Sequence, residues 1–244
     1  MLGDASSDGR TPPTAGVPLV PDDMRLAAEA LFGDRLALAS EYARMLVTDG
    51  VLRGLIGPRE APRIWDRHLL NCAAVGELIP TGATLVDVGS GAGLPGMVLA
   101  VARPDLVVTL VEPLARRTAF LLEAVKALGL ERTTVVHARA EECVGKQPLA
   151  AVVTARAVAP LDRLAGWCLP LTTIGGRLLA LKGANAAAEL TEHAEALVRM
   201  GAGAAVVRTC GDALLTAPTT VVEVVRERDV APNVRRARPS RPAR

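Results

Sequence analysis

A glycine-rich segment in the middle of the chain has the residue types and spacing of a nucleoside-binding loop. Residues 85–96 read LVDVGSGAGLPG and include Gly89 and Gly91. Glycine lets the backbone turn tightly and approach a ligand closely, and the helix predicted to follow presents free N–H groups at its start. Glu112 comes 23 residues after Gly89, at the end of the next predicted strand, where a carboxylate can bind ribose hydroxyls. The sequence therefore predicts an adenosine-containing cofactor held by Gly89, Gly91 and Glu112.

Both NAD and S-adenosylmethionine would fit such a loop, and residues 91–96 even satisfy the G-x-G-x-x-G pattern. Asp87, in the strand before the glycines, is placed to orient the loop and to favour the sulfonium and amino group of S-adenosylmethionine. After the third predicted strand, residues 139–142 bring a carboxylate and backbone to where an adenine amine would lie. These features favour S-adenosylmethionine, and the lack of a Walker lysine after the glycines disfavours a P-loop NTPase.

Short β-branched runs alternate with helical stretches after Pro80, and these elements must position the loop. A strand–helix repeat of this kind predicts an α/β fold with a doubly wound, mostly parallel sheet. The last two strands are separated by a loop without a helix and are expected to pair as an antiparallel hairpin. The predicted strands are 84–88, 106–111, 133–136, 151–154, 177–181, 204–209 and 219–225, and the predicted helices are 94–102, 114–128, 160–168 and 186–200. This seven-stranded arrangement is typical of Rossmann-like S-adenosylmethionine-dependent methyltransferases.

Other segments flank this methyltransferase domain, which we place at residues 81–226. Residues 1–21 are rich in Pro, Gly, Ser and Asp and are predicted to be a disordered leader. Residues 22–80 carry apolar residues at helical spacing, interrupted by glycines and Pro58, which predicts a small N-terminal cap of three helices. Residues 227–244 are basic and contain prolines, so we expect a disordered tail.

The composition indicates a globular protein whose charge is concentrated at its ends. Of the 244 residues, 50% are hydrophobic and 22% are charged, which is enough to bury a core. The net charge is +2, but residues 231–244 carry five arginines and residues 1–23 are acidic, so residues 24–230 are neutral. Two Trp, one Tyr and two Phe argue against a sheet that stacks exposed RNA bases. Because residues 24–230 are neutral, any RNA affinity would have to come from a local basic rim or from the arginine-rich tail.

The cysteines and the apolar runs argue against several other classes of protein. Cys72, Cys143, Cys168 and Cys210 lie far apart, with no C-x-x-C pair, so no metal site is expected. The sequence shows neither a signal segment nor an apolar run of about 18 residues. We therefore expect a soluble, cytoplasmic monomer with no membrane partner, whose cysteines are reduced and buried.

The segment after the fourth predicted strand bears on which group is methylated. Enzymes that methylate an exocyclic amine usually carry an Asn/Asp-Pro-Pro-aromatic loop there, whereas this chain reads Thr154, Ala155, Arg156. Methylation of a pyrimidine carbon needs a positioned nucleophilic cysteine, and Cys168, beside Trp167 in a predicted helix, is expected to be structural. The acceptor is therefore predicted to be nucleophilic already, such as guanine N7, so that proximity and alignment suffice without a general base.

Several strings in a fixed order resemble the RsmG (GidB) family over about residues 24–226. They are RHLLN at 67–71, LVDVGSGAGLPG at 85–96, ARAEE at 138–142, TARAVAPL at 154–161, WC at 167–168 and ALKG at 180–183. Members of that family are bacterial 16S rRNA guanine-N7 methyltransferases. The resemblance implies methyl transfer from S-adenosylmethionine to one guanine of 16S rRNA, either as naked RNA or in the small ribosomal subunit. It also implies cofactor contacts at Gly89, Leu94, Ala140, Glu141 and Arg156.

Arg156 and Lys182 are the predicted catalytic residues. Arg156 comes just after the fourth predicted strand and Lys182 ends the fifth, at the edge where open α/β sheets bind ligands. We expect Arg156 to reach guanine O6 or a phosphate, because a bidentate bond to both O6 and N7 would occupy the reacting lone pair. Lys182 is expected to hold an RNA phosphate as a point charge. The alternative for Arg156 is a surface ion pair.

The other predicted RNA contacts are basic residues on either side of the glycine loop. Arg63, Arg67 and Asn71 share one helix face by their spacing, which fits either RNA contact or an ordinary solvated face. His68 belongs to the same predicted RNA-binding set, as a partly buried, hydrogen-bonded histidine and not as a base. Arg116 and Arg117 open a helix, where positive charge meets an unfavourable dipole, which favours an RNA-facing role, and Arg116 is also assigned to RNA.

Two other functions stay open on the sequence alone. An NAD-dependent small-molecule dehydrogenase would use the same loop, but it needs a hydride-transfer site, and no His/Asp or Tyr/Lys pair is evident in the second half of the chain. A non-catalytic RNA-binding module would hold RNA through the basic tail without using the cofactor.

Overall fold

Seven strands form one sheet in the computed structural model, which describes residues 20–156 and 159–230. They are β1 (Thr84–Val88), β2 (Val107–Glu112), β3 (Thr133–His137), β4 (Ala150–Arg156), β5 (Thr172–Lys182), β6 (Ala202–Cys210) and β7 (Thr219–Arg226). Their spatial order is β3-β2-β1-β4-β5-β7-β6. Strands β1 to β5 pair in parallel, whereas β7 runs antiparallel to both of its neighbours. The predicted mostly parallel Rossmann-like sheet with a C-terminal antiparallel hairpin is therefore confirmed.

Helices cover both faces of this sheet. Before the sheet come α1 (Arg25–Phe32), α2 (Leu36–Met45), a π-helical continuation at Leu46–Gly50, and a π-helix at Ile64–Leu70 that passes into α3 (Asn71–Ala74) and a 3₁₀ turn at Val75–Leu78. Between the strands lie α4 (Gly96–Ala102), α5 (Ala115–Ala127), α6 (Ala140–Cys143), α7 (Leu161–Cys168) and α8 (Ala186–Arg199). Further 3₁₀ turns occur at Asp22–Met24, Gly33–Arg35, Ala61–Arg63 and Leu169–Leu171.

The N-terminal helices share one hydrophobic core with the sheet. Tyr42 and Leu69 from that segment are buried in the same cluster as Met97 of α4 and Phe120 of α5. A second cluster, on the other face, buries α7 and its neighbours against β4 and β5. The predicted cap is thus part of the layer that covers one face of the sheet, because the apolar sides of its helices face α4 and α5.

Strand β5 is longer than the sequence predicts. It begins at Thr172 and runs through the Gly175–Gly176 pair, which resembles a turn in the sequence but lies within the strand. Gly175 has φ of 78°, a conformation that favours glycine. A Cβ on Gly176 would lie 2.7 Å from the carbonyl oxygen of Ala151, so glycine here lets β4 approach closely. Strand β4 is also longer than predicted and includes Arg156 as its last residue.

The remaining sequence expectations concern the ends of the chain and its cysteines. Residues 1–19 and 231–244, which hold most of the predicted leader and tail, lie outside the described residues. Glu227 and Arg228, assigned to the tail, donate N–H bonds to the carbonyl oxygen of Gly201 at 2.9 and 3.2 Å.

All four cysteines are free and buried. Within 20–156 and 159–230, no helix is long and apolar enough to cross a bilayer, and no group of three His, Cys, Asp or Glu side chains could hold a metal ion.

Candidate functional site

The glycine loop that follows β1 is pinned to its surroundings by hydrogen bonds to its own backbone. The N–H groups of Gly89 and Ser90 donate to the carbonyl oxygen of Val111, at the end of β2, at 2.9 and 3.1 Å. The buried hydroxyl of Tyr42, from α2, donates to the carbonyl oxygen of Ala92. The loop is thus held both by the sheet and by the N-terminal helices.

Asp87 supports the same loop from inside the core. Its Oδ1 accepts from the hydroxyl of Thr154 at 2.9 Å, and its Oδ2 accepts from the N–H of Gly96 at 3.1 Å. Burial raises the pKa of Asp87 to about 6, although these hydrogen bonds partly oppose the rise. A Cβ on Gly96 would lie 2.6 Å from the Cβ of Asp87, so α4 can begin here only with glycine. Asp87 therefore orients the loop as expected, but from beneath it, and it lines neither of the cavities described below.

Glu112 is a second clamp on the loop. Its Oε2 accepts from the N–H of Gly91 and its Oε1 accepts from the N–H of Leu114, each at 2.9 Å. Arg117 lies 3.8 Å from Oε2, and the Glu112 side chain is only 1% exposed. The carboxylate predicted to bind ribose thus also fixes the loop backbone, and its remaining lone pairs are available for further donors.

Cavity A lies on the β2–β3 side of the loop, at the carboxyl ends of the strands. Its volume is about 570 Å³, within the range of small-molecule sites. Four of the predicted cofactor residues line it, together with the half-buried ring of Trp167. Those four are Gly89, Glu112, Ala140 and Glu141. Cavity A therefore offers a ring, backbone groups and carboxylates in one place, as a nucleoside requires.

Cavity B lies on the other side of Gly89, between the N-terminal helices and the ends of β4 and β5. Its volume is about 750 Å³. The predicted site residues in its lining are Gly89, Gly91, Leu94, Arg67, His68, Arg156 and Lys182. Gly89 and Arg117 line both cavities, so A and B adjoin at the loop.

A chain of three polar side chains crosses the wall of cavity B. Nη1 of Arg156 lies 3.1 Å from Nδ1 of His68, and Nε2 of His68 lies 3.0 Å from Oε2 of Glu60. Because arginine can only donate, Nδ1 must accept, which makes His68 neutral with its proton on Nε2 and donating to Glu60. Burial and the charge of Arg156 lower the pKa of His68, although Glu60 partly opposes this shift. His68 is thus a hydrogen-bonded, buried histidine that aligns Arg156.

Lys182 makes its contacts within the protein. Its Nζ donates to Oε1 of Glu189 at 2.7 Å and to the carbonyl oxygen of Ala159 at 2.9 Å, and its side chain is 9% exposed. The same Oε1 accepts from the N–H of Leu161 at 2.6 Å. This arrangement joins the end of β5 to the start of α7, next to Arg156.

The predicted RNA-binding arginines lie in different settings. Arg67 is exposed at the edge of cavity B, 3.3 Å from Oε2 of Glu60. Arg63 pairs with Asp66 at 3.2 Å and does not line cavity B. Arg116 is exposed and lines neither cavity, whereas its neighbour Arg117 lines both.

Two residues of the site had no role assigned from the sequence, and a third was named only together with its neighbour. Glu60 comes before the helical run and meets His68 only in the folded chain. Trp167 stood out only as part of the WC string, yet it lines cavity A with Arg163 over its ring at 4.9 Å. Arg117 was named with Arg116 at the start of a helix, but only Arg116 was assigned to RNA, whereas Arg117 is the one that lines both cavities.

Comparisons with known proteins match this chain to one family over most of its length. Residues 35–216 match the family model described as GidB, rRNA small subunit methyltransferase G. A ribosomal RNA small subunit methyltransferase G of Salinispora tropica is 66% identical over 218 residues, covering 87% of this chain and 90% of the relative. That of Rhodococcus jostii is 54% identical, covering 88% of this chain and 94% of the relative.

Solved structures show the same fold at low sequence identity. A ribosomal protein L11 methylase from Lactobacillus delbrueckii aligns with a TM-score of 0.51 at 12% identity, covering 66% of this chain and 79% of that one. An S-adenosyl-L-methionine-dependent methyltransferase described as putative, from Methanococcus maripaludis, aligns with a TM-score of 0.50 at 14% identity, covering 75% and 92%. At such identities the likeness concerns the fold alone.

Proposed function

This chain belongs to the rRNA small subunit methyltransferase G (GidB) family, and from that membership we propose that it transfers a methyl group from S-adenosylmethionine to N7 of a guanine in 16S rRNA. The observation that carries the proposal is the pair of cavities that adjoin at Gly89. A methyl donor in one and a base in the other would face each other across the loop. We propose a cytoplasmic location for the reaction, because that is where bacterial rRNA is found.

Cavity A is proposed to hold S-adenosylmethionine. Glu112 would accept ribose hydroxyls with the lone pairs that its two backbone bonds leave free. The segment at Ala140 and Glu141 would meet the adenine, and Trp167 would lie against its ring. The methionine part would pass Gly89 and Gly91, and Leu94 lines the neighbouring wall of cavity B. The cavity volume and its mixture of a ring with polar groups suit this ligand.

The residues around cavity B would position the base and would not need to move a proton. When bound, S-adenosylmethionine supplies a methyl group that the N7 lone pair takes as the carbon–sulfur bond breaks, leaving S-adenosylhomocysteine and a positively charged 7-methylguanine. No proton leaves the base in this step, which fits a site where both ring nitrogens of His68 already have partners. Alignment of the two reactants is then the main source of acceleration.

Arg156 is proposed to contact guanine O6 or an RNA phosphate, held in place by His68. Lys182 is proposed to act as a positioning residue, because Lys182 and its ion-pair partner Glu189 hold the backbone at Ala159 and Leu161. Arg63, Arg67 and Arg116 are proposed to attract the RNA backbone, so binding should weaken with added salt.

Transfer of labelled methyl groups to small ribosomal subunits from cells lacking this gene tests the proposal. We expect label in 16S rRNA and a 7-methylguanine at one mapped position, and parallel reactions with naked 16S rRNA identify the preferred form of the substrate. Calorimetry should show binding of S-adenosylmethionine and none of NAD. Tight NAD binding without methyl transfer would instead indicate a dehydrogenase, and RNA binding without transfer would indicate a non-catalytic module.

A further inference from the structure

Within the described part of the chain, Glu60 is the only carboxylate that lines cavity B. Its side chain is 33% exposed. The contacts that described side chains make with it all go to one oxygen, Oε2, which lies 3.0 Å from Nε2 of His68 and 3.3 Å from Nε of Arg67. The other oxygen, Oε1, has no hydrogen bond from the described residues. The site therefore presents a fixed carboxylate with one free oxygen at the cavity proposed to receive the base.

We propose that Oε1 of Glu60 reads the Watson–Crick edge of the target guanine by accepting hydrogen bonds from its N1–H and 2-amino groups. This inference rests on the proposed function and adds the residue that selects the base. Guanine carries these two donors side by side, and the two lone pairs of Oε1 allow this one oxygen to accept a hydrogen bond from each of them. An extruded base is commonly recognised through this edge.

The neighbours of Glu60 set up a pattern that guanine fits and adenine opposes. His68 lies between Glu60 and Arg156, so the wall of the cavity has a hydrogen-bond acceptor, Glu60, on one side of His68 and a donor, Arg156, on the other. Guanine presents donors at N1 and N2 and an acceptor at O6. Adenine, which also has a nucleophilic N7, presents an acceptor at N1 and a donor at N6. The N1 acceptor of adenine would therefore face the Glu60 carboxylate, and its N6 donor would face the Arg156 guanidinium. The site would repel adenine as well as attract guanine.

The negative charge of Glu60 also suits the reaction. The purine ring gains positive charge as the methyl group moves to N7. A carboxylate held at the opposite edge of the ring attracts this charge more strongly in the transition state than in the neutral reactant. Glu60 would thus favour the reaction as well as the correct base.

A substrate series separates base recognition from a structural role. The methylated position is first mapped with the wild-type enzyme, and small subunits are then reconstituted with 16S rRNA carrying guanine, inosine or adenine there. Inosine keeps N1–H, O6 and N7 but lacks the 2-amino group. For the wild type we expect kcat/KM to be roughly 10- to 100-fold lower on inosine than on guanine, as for loss of a specific polar contact in a recognition site.

The variant Glu60→Gln keeps the size of the side chain and an oxygen for the Nε2–H of His68. We expect it to methylate guanine more slowly, to discriminate guanine from inosine by much less than the wild type, and to gain measurable activity on adenine, because its amide N–H can donate to adenine N1. The matched control is Glu192→Gln, which neutralises an exposed carboxylate on α8 and should keep the wild-type preference. Calorimetry with S-adenosylmethionine should give wild-type affinity for both variants, which verifies folding.

If Glu60→Gln lowered kcat/KM equally on guanine and on inosine, the inference would be overturned, since Glu60 would then only support Arg156 and His68. Failure of the proposed function would look different. In that case the wild-type enzyme itself would not methylate subunits that carry guanine.

Discussion

Arg156 and His68 lie 88 residues apart in sequence and are joined by a hydrogen bond of 3.1 Å. The bond exists only while Nδ1 of His68 is unprotonated, because an arginine offers no acceptor. Burial and the charge of Arg156 both lower the pKa of His68, and Glu60 partly opposes them. At neutral pH the bond therefore links the N-terminal helices to the end of β4, at the point where the base is proposed to bind.

Methyl transfer should decline as the pH falls through the lowered pKa of His68. Protonated His68 no longer accepts from Arg156 and instead repels both Arg156 and Arg67, while only Glu60 still favours it. The stability of the fold should also decrease as the pH falls. A depressed folded-state pKa contributes stability that is present above the unfolded value of about 6.5 and is lost as the pH falls through the folded value.

The variant His68→Gln checks this pH dependence, because it offers a donor and an acceptor that do not titrate. We expect lower activity at pH 7.5 or thereabouts but a flatter acid limb than in the wild type. Asp87, whose pKa is about 6, titrates in both proteins, so the difference between the two profiles belongs to His68. Superimposable profiles would contradict the assignment.

Glu112→Gln should weaken S-adenosylmethionine binding. A glutamine cannot accept from both Gly91 and Leu114, because its amide nitrogen only donates. One of the two hydrogen bonds is therefore lost, and the amide N–H of the glutamine faces a backbone N–H. A loss of roughly 1 to 3 kcal/mol in binding free energy is expected for such a change. Calorimetry measures it, with Glu192→Gln as the control, and unchanged affinity would show that Glu112 does not order the cofactor loop.

Gly96→Ala should destabilise the fold. The new methyl would lie 2.6 Å from the Cβ of Asp87 and 2.5 Å from Cδ2 of Leu110, so backbone or side chains must shift. Overpacking of this kind costs roughly 1 to 3 kcal/mol of unfolding free energy. Urea denaturation gives the value, and Gly57→Ala is the matched control because its methyl would meet nothing closer than 3.8 Å. A Gly96→Ala protein as stable as Gly57→Ala would refute the packing argument.

Lys182→Met and Glu189→Gln should lower the free energy of unfolding by similar amounts. The double variant should lose much less stability than the sum of the two single losses. Both remove the largely buried pair of 2.7 Å that holds the chain near Ala159, and breaking such a pair costs roughly 3 kcal/mol of stability. Denaturation and methyl-transfer rates of the three variants form the test. If Lys182 instead held an RNA phosphate, Glu189→Gln would leave RNA affinity intact and only Lys182→Met would reduce its salt dependence.

The parts of this molecule that could be predicted from sequence are those set by local spacing. The glycine loop, Glu112 and the seven strands follow from patterns within a few tens of residues, and the parallel order follows from strand–helix alternation. Glu60 and its contact with Arg156 through His68 could not be predicted, because they depend on how the N-terminal helices dock on the sheet. Arg117 was not distinguished from Arg116, because one residue along a helix changes the direction of a side chain by about 100°.

The strand order also has a consequence for how this protein is made. Strand β7 is the last of the described strands in sequence, yet it lies between β5 and β6. Thr219 and Thr220 at its start, and Pro218 just before it, line cavity B. During synthesis on the ribosome, β5 therefore keeps an unpaired edge until residues 219–226 have left the exit tunnel. Neither the sheet nor the wall of cavity B can be complete before that moment, so a nascent chain truncated ahead of β7 should be inactive and prone to pair with other exposed strands.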